Sequence, residues 1–423
     1  MRAATHRTPH TTLRETVDVL VVGASAAGLS TVEALRRHGF TGTVTVLGAE
    51  THPPYDRPPL SKQVLAGIWQ PERAQLRPSE ALLALDAEFV LGDPAVGLDA
   101  ATRTARTASG RTLRAGTVVV ATGTRPRTLP GQTGLAGVHV LRTLDDALAL
   151  RAGLLGAARL VVVGDGVLGT EIAATARTMG LDVTVVGPQA LLMASQLGHR
   201  VADLLTELHA ARGVRLRLGA GVQELVGSAS TVTGVRLDDG ELLPADLVVV
   251  AIGTEPVTGW LHDSGLRMDN GLVCDSRCRA GEGVYAVGDV ARWQHEQLGR
   301  PLRLENRTNA SEQAIAVAAN ILGADRAYTP VPYFWTDQFD VKIQMHGVVP
   351  AGPGPGPGAG TGTAAGMTVV DGAPAAGRFV ARYRHAGAVT GVLGWNMPKQ
   401  TRRRRQDVAD ALAGGPAPAP APH

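Results

Sequence analysis

The sequence predicts an α/β protein with two Rossmann-like dinucleotide-binding domains followed by a C-terminal α+β domain. Three observations predict it. The chain repeats a strand, glycine turn, helix and strand: Val17 to Gly28 opens one copy, and Leu160 to Gly169 opens the other. Both copies close alike, with Val118-Val-Val-Ala-Thr-Gly-Thr-Arg-Pro126 echoed by Val248-Val-Val-Ala-Ile-Gly-Thr-Glu-Pro256. Finally, 423 residues exceed one ordinary core and call for two or three domains.

Taken in order, the β-branched run ending at Gly23 is a strand, the Ala/Leu/Glu-rich stretch after Gly28 a helix, and Thr43 to Leu47 a second strand. Ser109-Gly110 separates two apolar runs and reads as a hairpin turn. The second copy follows suit, with Asp182 to Val186 as its second strand and Asp238-Asp-Gly240 as its hairpin turn. Val284 to Val287 is an apolar strand ending at Gly288-Asp289, and Asn309 to Leu322 reads as a helix. The expected limits are 14–125 and 246–328 for a first domain in two parts, 126–245 for the second, and 329–410 for the C-terminal domain. Residues 351–366 are almost all Gly, Pro, Ala and Thr and read as a flexible insertion; 411–423 read as a disordered tail.

Composition narrows the class. Hydrophobic residues are 44% and charged residues 19%, with no apolar run long enough for a bilayer, which excludes disordered, collagenous and transmembrane chains. A net charge of +3 is too small for a bulk nucleic-acid binder. Two cysteines build neither a disulfide framework nor a four-cysteine metal site, so no metal and a reducing compartment are expected. The polar stretch Met1 to Glu15 has no apolar signal core, so the expectation is cytoplasmic.

The glycine turns carry the chemistry. Gly23-x-Ser25-x-x-Gly28, with Ala26 and Ala27 between, is a dinucleotide fingerprint whose middle glycine is replaced by a small serine. Gly164-x-Gly166-x-x-Gly169, with Val167 and Leu168, is complete. Spaced glycines also serve helix packing, but two fingerprints in the same strand-to-helix context point to two nucleotides, a flavin and a nicotinamide. The acid that usually receives a ribose hydroxyl is Glu50 in the first copy. Its counterpart after Val186 is Gly187, with no carboxylate there to repel a 2′-phosphate and no arginine nearby to attract one, so NADH and NADPH both stand as donors.

These residues, with Pro54-Tyr-Asp-Arg-Pro-Pro-Leu-Ser-Lys62, Ala121-Thr-Gly-Thr-Arg-Pro-Arg127, Gly166 to Glu171, Gly288-Asp289, Glu305 to Gln313 and Phe334-Trp-Thr-Asp-Gln338, resemble a known family. The chain is similar, from about Val17 to Arg405, to FAD-dependent NAD(P)H:ferredoxin reductases that serve cytochromes P450 and Rieske oxygenases. The resemblance implies an enzyme that takes hydride from NADH or NADPH to FAD and passes single electrons to a [2Fe-2S] or other small ferredoxin. It implies FAD contacts at Gly23, Ser25, Ala26, Ala27, Gly28, Glu50, Arg57, Pro58, Val96, Ala121, Thr122, Gly123, Arg142, Gly288, Asp289 and Arg307. It implies nicotinamide-nucleotide contacts at Gly164, Gly166, Val167, Leu168, Gly169, Glu171, Gly187, Ile252 and Gly253. Lys62 is expected beside the flavin, Glu171 near Lys62, and Trp335 against the flavin or nicotinamide. Read without the resemblance, Lys62 is a surface charge, Glu171 a capping carboxylate and Trp335 core.

The segment Arg57 to Lys62 contains no cysteine, and Cys274 and Cys278 are expected to be structural thiols, so a thiol relay is not expected. An acidic iron–sulfur partner would dock on positive charge, for which Lys342, Lys399 and Arg402 to Arg405 are the candidates, as a monomer or homodimer. Competing readings change the acceptor to rubredoxin, a nitrite reductase component or O2, make the chain a non-catalytic redox-sensing flavoprotein, or make it a dehydrogenase without flavin.

Overall fold

The computed structural model describes residues 14–350 and 366–414. Hydrophobic runs become strands where the sequence alternates least. Arg14–Val22 forms the centre of a parallel sheet, flanked by Val44–Gly48 on one side and Thr112–Val120 on the other. Glu88–Leu91 and Val284–Ala286 extend it outward in the same direction. A sheet buried on both faces needs apolar side chains at every position, and Val44–Gly48 is buried throughout. Helices Ala26–Arg37 and Arg307–Ile321 pack against one another in this unit. The hairpin predicted at Ser109-Gly110 joins Thr104–Thr107 to Thr112–Val120.

The second unit repeats the arrangement. Its five parallel strands lie in the order Arg215–Leu218, Asp182–Gly187, Arg159–Val163, Leu247–Val250 and Val138–His139. An antiparallel sheet of Val222–Ser228, Thr231–Leu237 and Leu242–Pro244 carries the hairpin predicted at Asp238-Asp-Gly240. One expected limit is corrected. Leu247–Val250 hydrogen-bonds into the second sheet, so this unit passes residue 245 and ends at the two-stranded crossover of Thr124–Pro126 with Thr254–Pro256. The physical reason is that the closing valine run has a parallel partner, Arg159–Val163, only in the second sheet.

The C-terminal domain is an antiparallel sheet of Tyr333–Gln338, Val341–Gly347, Ala388–Trp395, Arg378–His385 and Gly366–Ala373, covered by helix Pro398–Ala413. Its inner face shares one apolar core with the second unit, where Ile343, Phe379 and Leu393 meet the cluster of Leu150, Leu160 and Ile172. The expected tail is corrected at its start, since residues 411–413 continue that helix. The rest of the tail from residue 415, and 351–365 of the expected insertion, lie outside the described residues. No helix among the described residues is long and apolar enough to cross a membrane.

Candidate active site

Two glycine turns set the site. A Cβ on Gly28 would lie 1.9 Å from the Gly23 carbonyl oxygen, and one on Gly169 would lie 2.0 Å from that of Gly164. Only glycine lets each helix start so close to its strand. The two copies thus agree in atomic detail as well as in pattern. Helix Ala26–Arg37 and helix Val167–Thr178 both begin without a side-chain cap and without an acid in the first turn. Their first N–H groups are therefore left for an anionic ligand.

Both helix starts open into one cavity of about 870 Å³, the size of a dinucleotide cleft. Ser25, Ala26 and Ala27 line it from the first unit, together with Arg57, Pro58, Lys62, Ala121, Thr122 and Gly123. Gly166, Val167, Leu168, Glu171 and Gly253 line it from the second unit, and Arg142 from the stretch between them. Gly288, Asp289, Arg307 and Trp335 complete the wall. Gly23 and Gly164 stand behind the helix starts in the turns, and Gly28 and Gly169 lie in the first turn of each helix, off the cavity lining. Glu50, Gly187 and Ile252 lie off the cavity, and Val96 is half exposed on the strand Ala95–Asp99, away from it.

At the centre, Lys62 Nζ donates to Glu171 Oε2 over 2.7 Å, with both side chains largely buried. Lys62 sits in a one-turn π-helix, Leu60–Val64, a local distortion frequent at functional sites. Ser61 Oγ donates to the same oxygen over 2.6 Å, and Thr336 Oγ1 donates to Glu171 Oε1 over 2.7 Å. Gln338 Nε2 donates to Thr336 Oγ1, and His209 Nε2 meets Gln338 Oε1 at 2.8 Å. Burial pushes the His209 imidazole down to about 4, so it is neutral and the chain carries no further charge. Glu171 is thereby held by three side chains from two other elements, the π-helix Leu60–Val64 and the strand Tyr333–Gln338, which excludes the simple capping role.

Trp335 is half-buried on the cavity wall, not core, and stacks on Tyr333 with centroids 5.9 Å apart. Along Tyr333–Gln338 the side chains alternate: Thr336 and Gln338 turn inward to Glu171, while Tyr333 and Trp335 share the other face. Tyr333 also stacks on His346, its cross-strand partner, at 4.6 Å.

Charged residues at the rim hold one another. Arg142 Nη2 meets Asp289 Oδ2 at 3.0 Å, while its Nε is buried without a partner. Arg57 pairs with Glu50 at 2.8 Å, and Tyr55 donates to Glu50 as well. Arg307 pairs with Asp56 at 2.6 Å and donates to Ser311. Gly288 N–H donates to the buried Gln313 Oε1 over 2.8 Å, which fixes the Gly288-Asp289 turn. The uncapped helix starts, the cradle at Gly23 and Gly28 and the orphaned Arg142 Nε fit a flavin dinucleotide in the first copy. The matching start at Gly166 fits a nicotinamide nucleotide in the second.

Ser61, Tyr55, Thr336, Gln338 and Gln313 were not singled out from the sequence, although each lay inside or beside a recognised motif. Cys274 and Cys278 are buried in the first unit's core and neither lines the cavity. Burial pushes the Cys278 thiol up to about 12 and raises Cys274 as well, which leaves both unreactive.

The pyridine nucleotide-disulphide oxidoreductase model matches residues 17–314. The chain belongs to that family. It is 37% identical to a ferredoxin–NAD(P)(+) reductase from Sphingomonas sp, over 88% of each chain. It is 34% identical to putidaredoxin reductase from Pseudomonas putida, over 78% of this chain and 80% of that one. Among solved structures, the ferredoxin reductase for the CYP199A2 system from Rhodopseudomonas palustris superposes with a TM-score of 0.86 at 32% identity, covering 93% and 94% of the two chains. The covalent putidaredoxin reductase–putidaredoxin complex gives the same score and identity, covering 93% of each. The family's fold is thus the one observed.

Proposed function

We propose that the chain is an FAD-dependent NAD(P)H:ferredoxin oxidoreductase supplying single electrons to a small iron–sulfur protein of a cytochrome P450 or Rieske oxygenase system. The observation that carries this reading is the pair of uncapped helix starts, from duplicated units, facing one cavity with the Lys62–Glu171 pair at its wall. Relatives named as ferredoxin reductases support it.

When bound, the flavin accepts a hydride from the nicotinamide and releases the electrons one at a time. The chain's own residues position and exclude. The N–H groups at Ala26 and Ala27 would hold the flavin pyrophosphate, with Asp289 and Arg142 beside its sugar chain, and those at Val167 and Leu168 would hold the nicotinamide nucleotide. Lys62 sets a cation at the wall, where it stabilises negative charge, and Glu171 keeps that ammonium in place. Phe334, Trp335 and Pro58 give the cavity an apolar stretch of wall. A reducing, cytoplasmic setting agrees with the two buried free thiols.

The electron exit lies on the aromatic face. A second cavity of about 640 Å³ is lined by Tyr333, His346, Lys399, Arg402 and Arg405, and Tyr333 also lines the first cavity. These three basic side chains are suited to an acidic ferredoxin. Arg404 pairs with Asp371 at 2.6 Å and Lys342 lies 3.5 Å from Asp337, so both are partly neutralised. The double variant Arg402→Gln, Arg405→Gln should raise KM for ferredoxin at low salt and leave NADH-to-ferricyanide turnover intact. An unchanged ferredoxin KM would remove this docking face.

Anaerobic stopped-flow absorbance tests the core reading. A yellow protein whose flavin band bleaches rapidly with NADH or NADPH supports it, whereas a yellow protein that neither nucleotide bleaches is not a reductase.

A further inference from the structure

The duplication allows the two strand-end regions to be compared position by position. In the first copy a Cβ on Gly48 would meet the Ala24 Cβ at 2.9 Å; in the second, one on Gly187 would meet the Asp165 Cβ at 2.5 Å. Gly48 therefore corresponds to Gly187 and Ala24 to Asp165. Two residues further on, Glu50 corresponds to Gln189. The first copy thus carries its acid on the loop after the strand, and the second carries it in the glycine turn.

The geometry makes the exchange specific. The Asp165 Oδ2 lies 2.3 Å from where a Gly187 side chain would begin, so the carboxylate occupies the volume of a residue at the end of Asp182–Gly187. An acid at that strand end, about twenty residues past the fingerprint, is the usual partner of the ribose hydroxyls. Gln189 holds the carboxylate in place, its N–H donating to Oδ2 over 2.8 Å and its Nε2 to Oδ1 over 2.7 Å. Gln189 Oε1 in turn accepts the Ser195 N–H over 2.9 Å. A carboxylate has about four lone-pair directions, and Gln189 takes two of them.

No cation offsets the charge. Asp165 is buried and forms no ion pair among the described residues. The arginines on the neighbouring strand Arg215–Leu218 are committed elsewhere, Arg215 to Asp182 and Arg217 to Glu241 and Asp239. A 2′-phosphate placed there would face a poorly solvated carboxylate with no guanidinium to receive it.

We propose that Asp165, delivered from the glycine turn into the space left by Gly187, makes the second nucleotide site select NADH over NADPH. The proposal rests on the reading that this copy holds the nicotinamide nucleotide. Its test is direct binding of NAD+ and NADP+ to the purified holoprotein by titration calorimetry. Wild type should bind NAD+ at least about tenfold more tightly than NADP+. Asp165→Asn keeps the shape, removes the charge and should bring the two within about threefold. The double variant Asp165→Gly, Gly187→Asp returns the acid to the strand end and should restore the discrimination. Equal binding of the two nucleotides by wild type, or full discrimination in Asp165→Asn, overturns the assignment. If Asp165→Asn does not fold, the wild-type ratio and the double variant still decide. Selective NAD+ binding by a protein that NADH does not bleach supports the role of Asp165 while removing the reductase reading.

Discussion

Lys62 and Glu171 depend on one another because each is a charge taken out of water. Breaking a buried pair by truncating one partner leaves the other uncompensated, at a cost of about 3–5 kcal/mol. For Lys62→Ala we predict flavin reduction by NADH slowed by about 10²-fold, the scale of losing one preorganised charge, or FAD lost on gel filtration. Bleaching at the wild-type rate with FAD retained would deny Lys62 that role. Thr336→Val keeps the shape and removes the donor to Glu171 Oε1. We expect it to lower stability by about 1–3 kcal/mol in urea unfolding and to slow flavin reduction less than Lys62→Ala does. The double variant should fall short of the sum of the single effects, since both act on one carboxylate.

The two glycine turns are one device used twice, and a single methyl group tests each copy separately. Gly28→Ala would drive a Cβ into the Gly23 carbonyl and push the first helix off its strand. Gly169→Ala would do the same in the second unit. Overpacking of this kind costs about 1–3 kcal/mol and displaces the helix start that meets the ligand. The expected outcome is a split: Gly28→Ala purifies with less flavin, whereas Gly169→Ala stays yellow and binds nicotinamide nucleotides more weakly. Loss of colour in both variants would argue against separate sites. The strand Tyr333–Gln338 likewise presents two faces, one turned to Glu171 and the other carrying the stacked Tyr333 and Trp335. A one-residue slip of its register would exchange them.

Across the whole molecule, the C-terminal sheet is bound to the second unit by apolar packing and by buried polar contacts. Tyr383 donates to the Leu197 carbonyl over 2.5 Å, and His209 reaches Gln338. Burial holds His209 at about 4 against 6.5 for a free imidazole, so the unfolded chain binds an extra proton between those values. Stability must therefore be fully present above pH 6.5 and fall as the pH drops toward 4, by about 3 kcal/mol for this one group. His346, pushed down to about 4 by burial and Arg405, acts in the same direction. Urea midpoints measured from pH 7 to pH 4 should show this loss, and His209→Gln should flatten it. An equally steep loss in that variant would place the acid sensitivity elsewhere.

Part of this structure follows from local chemistry alone. Spaced glycines at strand-to-helix turns, β-branched runs and hairpin dipeptides carry their structural meaning within a few residues, so the two parallel units and their helix starts were legible. Lys62, Glu171 and Trp335 were legible only through resemblance, because nothing local separates them from a surface charge, a cap and a core aromatic. The tertiary structure decided the rest. The partner strand of Leu247–Val250 and the ties of Ser61 and Thr336 to Glu171 are contacts across 87 to 165 positions of chain. The entry of the Asp165 carboxylate into the space of Gly187 spans far fewer positions but is equally a product of the fold, and it reads in one dimension as an acid missing from its place. Such contacts follow from which faces pack together, and packing is fixed by the whole chain burying its apolar surface at once.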